Sequence, residues 1–196
     1  MRIATFNLEN LDIAAAAPAA FERRDAALKL LRGTRYAGFA RAHSVDPVAG
    51  RPSDVHNLVT LSRWPILEQR QLFHDIVAGW RWQPPPAGGL DLPPIEVTWD
   101  RPLLYCRIAA PDGKDLHVIN LHLRAPRAAH MAHAKRRTAW RSTAAWAEGL
   151  FVAIQKRAGQ ALEARLLVER LFDADVRARI AVCGDLNADE HEMPAR

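Results

Sequence analysis

Three short runs place oxygen donors, amides and an imidazole directly on or after apolar strand patterns. They are Thr5-Phe6-Asn7-Leu8-Glu9-Asn10-Leu11, Val118-Ile119-Asn120-Leu121-His122-Leu123 and Ala181-Val182-Cys183-Gly184-Asp185-Leu186-Asn187. A strand that ends in Asn and Glu delivers the hard oxygen donors that divalent cations take. An asparagine after a strand also commonly forms a turn. By the two-residue period of a strand, Asn120 and His122 share one side and Leu121 and Leu123 the other. An imidazole beside an amide at a sheet edge can hold a phosphate oxygen or pass a proton; a buried, hydrogen-bonded histidine satisfies the same pattern. In the third run Asp185 and Asn187 alternate outward after Gly184. That carboxylate can orient or deprotonate water, and that amide can steady an oxyanion. A polar turn after a core strand is the alternative.

These groups need strands to carry them, and the hydrophobic pattern supplies candidates. Residues 2–7 read as a strand, with Ile3, Thr5 and Asn7 on one face. Residues 21–31 read as a helix, with Ala27, Leu30 and Leu31 at helical spacing and Gly33 closing it. Short strands are expected at 36–40 and 57–61, the latter ended by Trp64-Pro65, and a further strand at 66–73. Residues 43–53 form a polar loop. Residues 83–94 hold five prolines and two glycines, which excludes regular structure. Strands at 103–108 and 116–123 flank Pro111-Asp112-Gly113, a hairpin signal because proline presets φ and glycine accepts positive φ. Residues 128–172 read as helical. Trp146, Leu150, Ile154 and Ala158 step by four as an apolar stripe that Leu162, Leu166 and Val168 continue, and Gly149 and Gly159 are expected to break it. Residues 180–184 read as a short, central strand.

In order, the three runs resemble the N-terminal Asn motif, the N-x-H-L strand and the G-D-x-N strand of the endonuclease/exonuclease/phosphatase superfamily, metal-dependent phosphoesterases with a deoxyribonuclease I-like fold. Leu58-Val59-Thr60-Leu61-Ser62-Arg63-Trp64-Pro65-Ile66 resembles its L-S-R-x-P-I segment. Arg157-Ala158-Gly159-Gln160 with Leu166 resembles its R-x-x-Q…L helix. The likeness runs over nearly the whole chain, with residues 128–155 as a helical insertion. It implies an α/β (α+β) fold, a two-sheet β-sandwich flanked by helices, and hydrolysis of phosphate esters, nucleic acid among them, with Mg²⁺ or Mn²⁺. Under that resemblance Asn7 lies near the metal and the bound phosphate, with Asp185 as a second metal ligand. His122 contacts a phosphoryl oxygen, Asp185 orients or deprotonates the water, Asn187 stabilises the transition state, and Asn120 belongs to the substrate-binding group. Glu9 matches no ligand position.

Two parts of the family pattern have no counterpart. No L-Q-E motif, which carries the family's main metal carboxylate, lies between Leu11 and Asn57, as if an internal deletion had fused two helices. The closing S-D-H motif does not follow Asn187 before Arg196. The resemblance therefore implies an incomplete sandwich, weak metal binding and impaired hydrolysis. The alternative is a non-catalytic remnant that binds polyanions through a basic surface.

Composition is consistent with both. The chain has 196 residues, 49% hydrophobic and 25% charged, the balance of one globular domain spanning residues 1–196. Its net charge of +5 suits polyanionic partners, or a solvated arginine-rich surface. Arg124, Arg127, Lys135, Arg136, Arg137 and Arg141, interleaved with Trp140 and Trp146, could form a basic aromatic surface. The favoured expectation is a solvated helix face with its tryptophans in the core. Cys106 and Cys183 lie in strand patterns and are expected as buried free thiols. His117, His122, His130, His133 and His191 match no zinc spacing. Ala14 to Ala20 is short and contains Pro18, so it cannot span a bilayer, and no apolar leader is evident; a soluble cytoplasmic protein is expected.

Overall fold

A computed structural model describes residues 33–45, 58–86, 91–131, 134–136 and 139–188. The expected strand at 2–7, with Asn7, and the expected helix at 21–31 lie outside these. The fold is mixed α/β, with several sheets and one helix among the described residues. Two compact units form. The first gathers Met1–Phe73, Arg101–His122 and Val168–Asp185; the second gathers His74–Asp100, Leu123–Leu167 and Leu186–Arg196.

The first unit is built on β3 (Ile66–Leu72), β6 (Leu103–Ala109), β7 (Asp115–His122) and β10 (Arg179–Asp185), in the order β10-β7-β6-β3. The hairpin of β6 and β7 forms as the sequence predicts. Gly113 takes φ 76°, and its N–H donates to Ala110 O at 3.1 Å. Arg179 at the start of β10 clamps the hairpin tip, its Nη1 and Nη2 lying 2.7 and 3.0 Å from the two Asp112 oxygens. β6 and β7 are buried on both faces. On one face Leu104, Cys106, Leu116 and Val118 pack with Ala42 and Leu58. Ala42 belongs to β1 (Ala40–His43), which pairs antiparallel with β2 (Val59–Ser62).

The other face carries a polar group. Tyr105 Oη and His117 Nδ1 are 2.8 Å apart, and Arg70 lies over the Tyr105 ring at 4.9 Å. Arg107 bridges Glu68 at 3.2 Å and Asp115 at 2.8 Å. Burial pushes the Tyr105 hydroxyl above its ordinary range and the His117 imidazole below it.

Two expectations change here. Residues 34–37 form turns, with Phe39 N donating to Tyr36 O at 3.1 Å, and the strand starts at Ala40. Tyr36 and Phe39 pack edge to face on each other, which accounts for the strand-like aromatic pattern. Among the described strands β10 is at a sheet edge, not central, and Val182 is exposed. Cys106 is buried and Cys183 half-buried, both free.

The second unit contains the antiparallel pairs β4 (Trp80–Trp82) with β5 (Ile95–Val97) and β8 (Lys135–Arg136) with β9 (Ala139–Trp140). It also holds α1 (Thr143–Ala174) through Leu167. The predicted helical run from 128 begins only at Thr143. Ser142 caps it, its Oγ accepting from Ala145 N at 3.1 Å. Gly149 and Gly159 do not break it. A Cβ at Gly159 would lie 2.1 Å from Trp99 Cη2, and one at Gly149 2.8 Å from Ala129 O, so both glycines serve close approach.

The predicted apolar stripe also faces the other way: Trp146, Ile154 and Leu162 are exposed, and the buried side carries Val152, Arg157, Gln160 and Glu163. Glu163 sets this rotation. Its Oε2 accepts from Trp99 Nε1 at 2.5 Å and its Oε1 from Ile76 N at 3.0 Å, which compensates a carboxylate that is fully buried. Trp99 stacks on His74 with ring centroids 4.0 Å apart. No helix among the described residues is long and apolar enough to cross a membrane.

Burial of His117, which disfavours its charged form, makes stability depend on pH. The folded state holds the His117 proton less readily than the unfolded chain does. Its contribution is therefore complete above about pH 6.5 and falls as pH drops below that value. Urea denaturation at about pH 7.5 and about pH 5.5 should show this loss, and His117→Phe should flatten it.

Candidate functional site

The site begins with strand register. β10 runs parallel to β7, with Cys183 opposite Asn120, Gly184 opposite Leu121 and Asp185 opposite His122. Paired residues project to one face of a sheet. Asn120, His122, Cys183 and Asp185 therefore extend the face that holds Val118 and Ala181 in the core, and the polar members fall where the strands end. Gly184 makes this approach possible. Its φ is 133°, and an added Cβ would lie 1.8 Å from Leu121 O.

The two chemically active groups meet at that end. His122 Nε2 lies 3.4 Å from Asp185 Oδ2, both side chains half-buried. This is an ion-pair distance when the ring is protonated and looser than a tight hydrogen bond; catalytic contacts are often loose without substrate. Arg101 Nη1 donates to His122 O at 3.1 Å, so a guanidinium braces the residue from its backbone. Asn120 Nδ2 donates to Val59 O at 3.0 Å and to Thr60 Oγ1 at 3.3 Å, which ties β7 to β2.

Asn187 falls in the second unit, where its Nδ2 donates to Leu123 O at 2.9 Å and its φ of 49° is left-handed, a conformation asparagine tolerates. Asn7 is outside the described residues. The structure thus brings His122 and Asp185 together, with Asn120 one strand step away on the same face.

Sequence reasoning missed two groups. Arg101 is one: an arginine just before a strand gives no sign that it will reach a carbonyl on the neighbouring strand. The second is an ion-pair cluster in the second unit. Asp100 accepts from Arg124 Nη1 at 2.5 Å and from Lys156 Nζ at 2.8 Å. Burial alone would raise the Asp100 carboxyl, but its bonds to Lys156 and Arg124 outweigh this and hold it below the usual range. Arg124 is therefore neutralised within the unit rather than left open as basic surface. Trp146 is exposed and not in the core.

Among the described residues no group of three or more His, Cys, Asp or Glu side chains could hold a metal ion. His122 and Asp185 supply one carboxylate between them, the low end of the one or two that hold Mg²⁺ in sites completed by water and phosphate. The chain matches no known protein-family model, no curated protein and no solved structure.

Gly184→Ala should separate the strands at the site. It forces a non-glycine residue into positive φ against a carbonyl, a cost of about 1–3 kcal/mol or more. Chemical denaturation should show that loss, whereas Gly38→Ala, with open space around it, should change stability little.

Proposed function

We propose that this chain carries a phosphoesterase site of the endonuclease/exonuclease/phosphatase kind, on an incomplete deoxyribonuclease I-like sandwich, and hydrolyses phosphate esters slowly with Mg²⁺ or Mn²⁺. The observation that supports this most is the 3.4 Å approach of His122 to Asp185, two groups far apart in sequence that come from the N-x-H-L and G-D-x-N runs. Water attack on a phosphate ester gathers charge on the phosphoryl oxygens, and fixed donors and cations lower its barrier.

Each residue then has a task. His122 donates to a phosphoryl oxygen. Asp185 holds the attacking water and takes its proton as the new P–O bond forms; the ester P–O bond breaks, and the alcohol leaves with a proton from solvent. Arg101 braces His122 through its carbonyl. Asn120 keeps β7 against β2 at the edge of the substrate-binding region. A divalent cation would neutralise phosphate charge, with Asp185 and Asn7 as its ligands. With one carboxylate among these ligands, binding would lean on water and the phosphate itself and would be weak. The net charge of +5 suits a polyanionic ester such as nucleic acid.

The test is hydrolysis of bis(4-nitrophenyl) phosphate across a Mg²⁺ and Mn²⁺ titration, alongside salt-dependent DNA binding. Slow turnover that keeps rising into millimolar metal is expected. His122→Ala and Asp185→Ala should each lower it about 10²–10⁴-fold or to background. Salt-sensitive DNA binding without turnover would establish the non-catalytic polyanion binder instead, and turnover indifferent to both substitutions would place the chemistry elsewhere.

A further inference from the structure

α1 has its charge inside and its apolar side outside. Between Thr143 and Leu162 every exposed position is uncharged. Trp146 is 43% exposed, Phe151 41%, Ile154 55% and Leu162 48%. A surface helix ordinarily places charge on its outer face. Here Arg157 and Glu163 are buried, and Lys156 is engaged by Asp100. An open apolar face of this length marks an interaction surface.

The shape of the face points to its occupant. Beside Ala158 and Gly159 lies a hollow of about 290 Å³, walled by Trp80, Gln155 and Leu162. Phe151 lies on the same side of the helix, roughly two turns earlier, one side of its ring against Trp82 with centroids 4.9 Å apart and the rest open. An open aromatic ring and a hollow on one helix face are self-complementary when two copies pair antiparallel. With a two-fold axis near Ile154, Phe151 of each copy falls over the hollow of the other, and the two Ile154 side chains meet at the axis.

The area is adequate for such a pair. With roughly 100 Å² open on each of the four large side chains, their full burial removes about 800 Å² over two copies, and the exposed alanines between them bring the total to about the 1,000 Å² a specific interface needs. A helix lying on a lipid surface would instead carry lysine or arginine beside its apolar face; none stands at an exposed position of this stretch.

We infer that the exposed face of α1 from Trp146 to Leu162 is a homodimer interface, formed by antiparallel packing of α1 against a second copy of this chain.

Sedimentation velocity of the full chain from about 1 to about 100 µM tests this. A concentration-dependent monomer–dimer equilibrium is expected. Ile154→Glu and Phe151→Ser should each weaken it about tenfold or more while the circular dichroism spectrum is kept. Ile154→Cys should yield a disulfide-linked dimer with oxidised glutathione where the parent chain does not. A monomer at every concentration would overturn the inference. So would a dimer whose affinity ignores Ile154→Glu, or co-sedimentation of the monomer with anionic vesicles through this face.

Discussion

Gly184 allows β10 to approach β7 so closely that any side chain at this position would collide with Leu121 O, and that parallel contact governs the first unit. It fixes the register that sets Asp185 opposite His122. It also continues the packed face of Val118 and Ala181 to the strand ends, where the side chains turn polar. Two interactions hold the pairing from its margins: the Arg179–Asp112 clamp joins β10 to the hairpin tip, and Asn120 ties β7 to β2. His122 and Asp185 need no loop of their own, because an edge strand and its neighbour deliver them from one sheet.

The second unit is organised by a buried carboxylate. Glu163 has no exposed surface and needs donors, which Trp99 Nε1 and Ile76 N supply. Meeting that need turns α1 so that Glu163, Gln160 and Arg157 face inward. Trp99 then fills the space that Gly159 leaves open. The apolar row from Trp146 to Leu162 is left outside as a consequence, so a polar requirement at one buried residue creates the hydrophobic face on the surface.

The strands were legible in the sequence wherever the pattern was local. Apolar ends around a polar middle gave β3, and the two runs flanking Pro111-Asp112-Gly113 gave β6, β7 and their hairpin, because local composition and turn chemistry act over a few residues. The pairing of His122 with Asp185 was legible only through the order of motifs, since register between parallel strands is set by long-range packing. The rotation of α1 was not legible. Apolar spacing at Trp146, Leu150, Ile154 and Ala158 implied a core stripe, and only the distant partners Trp99 and Ile76 reverse it. The start of α1 was overrun because the described residues before Thr143, although compatible with a helix in sequence, carry the β8–β9 pair, and Ala129 N donates to Gly149 O at 2.8 Å. The Asp100 cluster was hidden for the same reason, its cations lying far along the chain.

The proposed hydrolysis requires the His122–Asp185 pair to receive a phosphate ester. The most direct measurement is side-chain NMR of the histidines in the full chain during titration with dimethyl phosphate, a diester that hydrolyses too slowly to be consumed. The account predicts a saturable shift of the His122 imidazole signals, with those of His74 and His117 unmoved. A titration that leaves His122 unchanged, or that shifts only histidines away from Asp185, would contradict it.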